Sequence, residues 1–387
     1  MTTMDVTQQD LLQAVERLRP VLEHHRAQAE SERRLADAVV SAMKEEGLFR
    51  ALTPAEYGGS EVAWPSFLRA VEKLAGIDAS AAWIMANVAS GGVQAAFMPD
   101  AGAREVFGGG HLTAGSVIPA GRAVPVSGGY RVTGRWPLTS GCYHAAWLGG
   151  NCLVFEGQAP RMNAHGAPDF TVAFFPSSDV KIIDTWHSTG MRGTGSADIA
   201  VEDVFVPEHR TFPLFTAGSR FDRPLFRLGI DVSFFSSLTC VGLGIARAAV
   251  DSFVELAGKK TPTLSQTGLA ARPTVHAEVA RAEATLQSAR SYLFDVADEM
   301  WATLSAGSRV PEELEARRRL SCVNAAEACE RVVDAMYRLG GVTSIYSGHA
   351  LDRCLRDVHT VNQHLAVSPV WWEKTGQYYF GLGLGMP

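Results

Sequence analysis

The sequence predicts an α+β chain in three parts: a helical N-terminal domain, a central β domain and a C-terminal four-helix bundle. Three observations carry this. Apolar residues recur at helical spacing through the first ~110 residues. Strand-like alternation is confined to the middle third of the chain. Two amphipathic segments of ~25–30 residues near the C-terminus suit antiparallel packing in a bundle. The expected divisions are 1–112, 113–222 (barrel or sandwich) and 223–387.

Leu11, Leu12, Val15, Leu18, Val21 and Leu22 form the first helical stripe, with Glu, Arg and His opposite. A second helix is expected to start at Ser31, carried by Leu35, Ala38, Val39 and Met43 and closed by Gly47. Pro54, Gly58 and Gly59 punctuate 53–62 as a loop. SFLRAVEKLAG and SAAWIMANVASGGVQAAF (80–97) follow as helices, the second so apolar that it should be buried on most faces. From residue 113 the pattern alternates, with Gly128–Gly129 as a hairpin turn. NCLVF, TVAFF, VKII and IAVEDVFVP continue as strands to Pro207. Helix returns with a long apolar stripe over 234–258, then a broken connection over 259–274 and the two long helices. A last helix is expected over 351–365, ahead of an aromatic tail.

With 387 residues, 47% hydrophobic and 20% charged, the composition excludes disordered, collagen-like and disulfide-scaffold classes. A net charge of −6 gives no reason to expect nucleic acid or an acidic membrane as partner. No apolar run approaches the ~20 residues of a bilayer span, and MTTMDVTQQDLLQAVERLRP lacks a secretory apolar core. Six cysteines without a CxxC pair read as reduced thiols, Cys322 and Cys329 facing the core, so a cytoplasmic enzyme is expected. No GxSxG, HExxH, Walker or strand-linked GxGxxG motif occurs, GLGLG (381–385) reads as a flexible end, and no metal is expected.

Three local runs are candidates for chemistry. RWPLTSGCYHA (135–145) gathers a hydroxyl and backbone amides at a strand end, able to hold the edge of a planar heteroaromatic ring or simply to form a hydroxyl-capped turn. The Gly/Ser/Thr-rich run from Trp186 to Pro207 can line a phosphate or ring edge, or only connect strands. RDVHTVNQHLAV places His359 and His364 five apart, about 140° on a helix, so they cannot share a metal. One is then a proton-transfer group and the other structural, or both are ordinary core or surface residues. Arg356 and Asp357 read as a structural ion pair.

In this order the pieces resemble the acyl-CoA dehydrogenase superfamily over nearly the whole chain. The carriers are LTPAEYGG (52–59), GGYRVTGRWPLTSGC (128–142), TGMRGTGSADIAVEDVFVP (189–207), GLGIARAAVDSF (242–253) and YRLGGVTSIYSGHALDRCLRDVHT (337–360). The resemblance implies a flavin between β domain and bundle and a homotetramer built as a dimer of dimers. Two departures narrow it. HTVNQHLAVSP (359–369) lacks the carboxylate that dehydrogenases carry there, and WPLTSGC and GSVIPAGRA replace their strand-end and TEPxxGSD-like segments. W-x-x-x-SG with a C-terminal RDVHT…H is similar to the oxygenase halves of two-component (group D) flavin-dependent monooxygenases.

That likeness implies reduced flavin (FADH2 or FMNH2) from a separate flavin reductase, dioxygen as co-substrate, and hydroxylation of a small phenol, indole or polycyclic substrate through a flavin hydroperoxide. It assigns Ser140, supported by the Gly141 amide, to the central-ring nitrogen. It makes His364, with His359 as second choice, a proton-transfer residue titrating near neutrality. Trp136, Leu138 and Thr139 are expected to flank the ring. Arg192, Gly193, Thr194 and Ser196 are expected at the ribityl or phosphate region, with Lys260 or Lys259 as a point charge. Trp83, Asn87, Phe97, His111 and Trp371 are the expected substrate pocket. The competing readings are an FAD-dependent acyl-CoA dehydrogenase or oxidase, N- or S-oxygenation on the same scaffold, and a non-catalytic protein that keeps the fold without the cofactor.

Overall fold

A capping box opens the first helix: Thr7 Oγ1 accepts from Asp10 N at 3.2 Å, and the Asp10 carboxylate accepts from Thr7 N at 2.9 Å. This is a computed structural model, and it describes residues 7–163, 166–214 and 217–385. Helices α1 (Gln8–Arg17) and α2 (Arg19–Glu32) break at Leu18, with Pro20 in the first turn of α2. The helix start expected at Ser31 does not occur. α2 runs through it, and the turn comes at Arg33 in the left-handed region (φ 58°). α3 (Asp37–Glu45), α4 (Trp64–Ile77), α5 (Ala79–Gly92) and α6 (Asp100–Phe107) complete the helical N-terminal part.

The strands are β1 (Thr113–Val126), β2 (Gly129–Thr139), β3 (Trp147–Glu156), β4 (Ala159–Pro160), β5 (Phe170–Pro176), β6 (Lys181–Ile183), β7 (Ala197–Pro207) and β8 (Thr211–Phe212). They form one sheet in the order β6-β7-β2-β1-β3-β5-β8, with β4 paired to β3. β1 and β2 form the expected hairpin across Gly128 (φ 80°), while β1 runs parallel to β3. Its core is separate, built on Trp136, Leu148, Phe175 and Ile199.

After the short α7 (Pro224–Arg227), helices α8 (Ile230–Lys259), α9 (Pro273–Ser305), α10 (Glu312–Gly340) and α11 (Ala350–Val361) make the bundle, followed by α12 (Val370–Tyr379). Leu238, Val241 and Phe253 of α8 share one core with Leu286 and Leu293 of α9, Val332 and Val333 of α10, and Val71, Leu74 and Met85 of α4 and α5. Each such side chain contributes about 1.5–3 kcal/mol of transfer free energy, and that shared core holds the N-terminal helices to the bundle. α8 is long and apolar enough to cross a membrane by composition, but 78% of its most apolar stretch is buried here, so its apolarity serves packing. All six cysteines are buried and free.

The last bundle helix ends four residues earlier than expected. Asn362 turns back to α10, donating from Nδ2 to Ala326 O (3.0 Å) and to Glu330 (2.9 Å). His364 therefore leaves the helix. It caps the 3-10 turn Leu365–Val367 instead.

Candidate active site

Side chains from all three parts of the chain converge at one junction. Asp78 caps α5 by accepting from Ala81 N (2.9 Å), which starts a helix whose Trp83 and Asn87 fall one turn apart on one face. Asn87 Nδ2 donates to Trp83 O at 2.7 Å. From the β part comes the end of β2, where the pairing with β7 shifts register between Trp136 and Thr139 and Leu138 adopts φ 59°. This bulge aims Ser140 at α5, and Trp83 Nε1 donates to its hydroxyl at 3.0 Å. Behind Ser140 runs a chain of hydroxyls: Ser140 to Ser196 at 2.8 Å, Ser196 to Thr194 at 2.7 Å, and Thr194 Oγ1 donating to Met191 O at 2.9 Å. All three hydroxyl residues are buried, and Thr139 Oγ1 beside them is buried without a partner among the described residues.

The bundle supplies His364. Its ring meets Trp83 edge-on at 5.5 Å, with Phe234 at 6.0 Å and Phe235 at 6.3 Å. Burial among these rings lowers its pKa from the usual 6.5 to about 4, so the imidazole is neutral at pH 7 rather than titrating near neutrality as expected. Its tautomer follows from geometry. Nδ1 accepts the Ala366 N–H at 3.0 Å, so the single ring proton is on Nε2. No hydrogen bond is made by Nε2 among the described residues, which leaves it a directed donor. Trp371 completes the aromatic wall, 6.1 Å from Phe235, with its Nε1 donating to Leu365 O at 2.6 Å. Phe234 and Phe235 were not singled out from sequence; an adjacent aromatic pair opening a long bundle helix was the available signal.

The 189–196 loop is clamped against α11. A Cβ on Gly190 would lie 2.1 Å from Arg356 O, so only glycine allows this approach. Met191 N donates to Asp357 at 2.5 Å. Asp357 does not pair with Arg356 as expected; Arg356 instead reaches Asp352 (2.9 Å) and Glu30 (3.2 Å). Burial raises the Asp357 carboxyl from 3.8 to about 7. The unfolded chain ionises there from about pH 4 while the folded chain stays neutral, so this residue costs stability as pH rises from about 4 to 7. Asp357→Asn retains a carbonyl acceptor for Met191 N–H and removes the ionisation. In urea denaturation it should match wild type near pH 4 and exceed it by a few kcal/mol at pH 8; a deficit that grows with pH would contradict this assignment.

Several expected site residues lie elsewhere. His359 is half-exposed and paired to Asp334 (3.0 Å) and Glu330 (3.8 Å) on α10, away from the junction. Trp136 is fully buried in the sheet core, its Nε1 donating to Asn151 O at 2.7 Å, and so cannot flank a ligand. Leu138, by contrast, stays at the strand end beside Thr139, turned out of the sheet core by the bulge and 56% exposed. The Gly141 amide is taken by Thr194 O at 2.9 Å. Arg192 is turned to backbone, with Nε on Glu30 O (2.9 Å) and Nη1 on Ser188 O (3.0 Å), and Gly193 packs beside Ser80 and Ala29. Lys260 Nζ binds Gly340 O and Thr343 Oγ1, each at 2.7 Å, and Lys259 pairs with Glu255 at 2.6 Å. Phe97 packs between two core clusters, and His111 is exposed beside Gly109. A cleft of about 320 Å³ near it, lined by Arg50, Tyr57, Arg104 and Gly108–Gly110, shares no residue with the junction.

The assembled group thus comprises Trp83, Asn87, Thr139, Ser140, Thr194, Ser196, Phe234, Phe235, His364 and Trp371, with no Asp or Glu hydrogen-bonded to Trp83, Ser140 or His364 among the described residues. Residues 6–101 match the acyl-CoA dehydrogenase N-terminal domain and residues 236–369 the acyl-CoA dehydrogenase C-terminal domain. The chain is 36% identical over 356 residues to an indole-3-acetate monooxygenase of Pseudomonas putida, covering 90% of this chain and 88% of that one. It is 31% identical over 372 residues to the flavin-dependent monooxygenase oxygenase subunit HsaA of Rhodococcus jostii, covering 92% and 94%. Among solved structures, XiaF from a Streptomyces species in complex with FADH2 and glycerol superposes with a TM-score of 0.91 at 28% identity, over 98% and 97% of the two chains. The chain belongs to the acyl-CoA dehydrogenase family, within its branch of flavin-dependent monooxygenase oxygenase subunits.

Proposed function

We propose that this oxygenase hydroxylates a small electron-rich aromatic compound, of the indole or phenol class, at the junction of α5, the end of β2 and the His364 turn. The observation that carries the reading is an aromatic wall with a single directed donor: Trp83, Phe234 and Phe235 surround His364, with Trp371 packed behind Phe235, and His364 Nε2 holds a proton at neutral pH. Such a wall suits a flat apolar ring, and one fixed donor orients a polar atom beside it. The substrate named for the Pseudomonas putida relative supports an indole ring.

The residues present fit a flavin. Ser140 offers a hydroxyl fixed on both sides, and Thr139 Oγ1 is a buried polar atom still lacking a partner. When bound, reduced flavin supplies the two electrons with which dioxygen is activated. Ser140 and Thr139 would hold its edge, while Trp83 and the phenylalanines exclude water that competes for the oxidant. His364 holds its proton at Nε2 and would donate it in a hydrogen bond to an oxygen atom placed beside it. Delivery of the reduced cofactor, as FMN or FAD, by a separate flavin reductase is supported by the oxygenase-subunit relative. A homotetramer is the proposed assembly, for which the exposed Val342, Ile345 and Tyr346 offer apolar contact surface.

The test is product mass. Protein, added flavin reductase, flavin and a panel of indoles, phenols, amines and thioethers under isotopically heavy dioxygen should yield an aromatic product heavier by one labelled oxygen atom. Oxygenation solely at nitrogen or sulfur would overturn the aromatic assignment, and acyl-CoA-dependent dye reduction without oxygen gain would overturn oxygenation altogether.

A further inference from the structure

We infer that Thr194 and Ser196, standing behind Ser140, determine which redox form of flavin the site prefers. The inference rests on the proposed placement of Ser140 against the flavin edge, and its content is the direction of the hydrogen-bond chain. Met191 O can only accept, and it receives the Thr194 hydroxyl at 2.9 Å. A hydroxyl has one proton to give. Thr194, having given its own, must accept from Ser196 across 2.7 Å. Ser196 is then committed and must accept from Ser140 across 2.8 Å. On the other side Trp83 Nε1, which can only donate, fills one lone pair of Ser140 at 3.0 Å. One lone pair remains. Ser140 therefore presents an acceptor, and no proton, to whatever lies in front of it.

The terminus that fixes this direction is rigidly placed. Met191 O also accepts from Thr194 N (3.1 Å), while Trp186 Nε1 divides its one proton between Met191 O and Arg192 O at 3.2 Å each, so the Thr194 hydroxyl at 2.9 Å is the shortest donor to Met191 O; Met191 N is anchored to Asp357 at 2.5 Å. Reduction places N–H groups on flavin ring nitrogens that are bare acceptors in the oxidised form. An edge group that only accepts pairs with the reduced ring and sets lone pair against lone pair in the oxidised one. The cost of such an unpaired acceptor exceeds the gain from making the bond.

Thr194→Val removes the last hydroxyl with little change of shape. Ser196 then gives its proton to Ser140, and Ser140, filled from both sides, turns its own proton outward. Anaerobic titration with chemically reduced and with oxidised FMN and FAD, followed by tryptophan fluorescence, reads the two dissociation constants without turnover. Wild type should bind the reduced form more tightly, and the ratio of the two constants should shift toward the oxidised form by about tenfold or more in Thr194→Val. Thr194→Ser, which keeps the hydroxyl, should restore the wild-type ratio and excludes a folding artefact. An unchanged ratio in Thr194→Val, with reduced-flavin binding still weakened by Ser140→Ala, overturns the inference and leaves the placement of Ser140 standing. Binding of both forms that is indifferent to Ser140→Ala overturns the placement and the inference together.

Discussion

His364→Asn is expected to slow product formation by about 10²-fold, the usual scale for losing a positioned proton-bearing group, while leaving the fold in place. The choice of Asn separates the two ring nitrogens. Its side-chain carbonyl replaces Nδ1 as acceptor of the Ala366 N–H, so the cap of the Leu365–Val367 turn survives and only the Nε2 donor is lost. The same substitution has a signature in stability. Wild-type His364 stays neutral down to about pH 4, whereas in the unfolded chain it protonates near 6.5. Its folded pKa is depressed, so stability is lost as pH falls through that window, by roughly 3 kcal/mol at its lower end. His364→Asn should not show that loss. Steady-state turnover with added reductase, together with urea melts at pH 7 and pH 4.5, checks both outcomes. Near-wild-type turnover would take His364 out of the chemistry.

The second large effect is expected at Ser140. Ser140→Ala deletes the group that receives Trp83 Nε1 and feeds the Ser196–Thr194 chain, leaving the indole N–H unpaired at the junction. A donor stripped of its partner costs about 1–3 kcal/mol where water does not replace it. Reduced flavin should bind at least about tenfold more weakly, and most reducing equivalents should emerge as hydrogen peroxide instead of hydroxylated product. Peroxide and product measured in the same reaction give the coupling ratio directly. Coupling equal to wild type would remove Ser140 from the cofactor's edge.

Much of the fold was legible because its signals are local. The Gly128 hairpin, the alternating strands and the two long amphipathic helices each follow from spacing within a single element. Ser140 was legible for the same reason, since Trp, Pro, Ser and Gly at a strand end mark a turn that presents a hydroxyl. Trp136 was misplaced although the signal was present. It shares strand parity with Val132, and both are fully buried inside the sheet. Leu138 has that parity too, and only the bulge with its left-handed φ sends it outward.

The histidines could not be separated by helical geometry. α11 ends because Asn362 reaches back to α10, a contact between residues 36 positions apart. Beyond that break, the 140° reckoning no longer describes His364. Asp357 was read as the partner of its sequence neighbour Arg356, but its partner is Met191, 166 positions away. The directed chain behind Ser140 likewise joins residues up to 56 positions apart, and no local pattern records its polarity. What the sequence lacked was the set of long-range partners that turn suitable residue types into a site.

The most direct measurement is a crystal structure of the protein soaked anaerobically with reduced flavin. Density for the isoalloxazine ring is expected with one edge within hydrogen-bonding distance of Ser140 Oγ and with Trp83 and His364 bordering the same space. A ring bound away from the meeting point of α5, β2 and the His364 turn, or one covered by an Asp or Glu side chain, would contradict the assignment of this junction as the oxygenating centre.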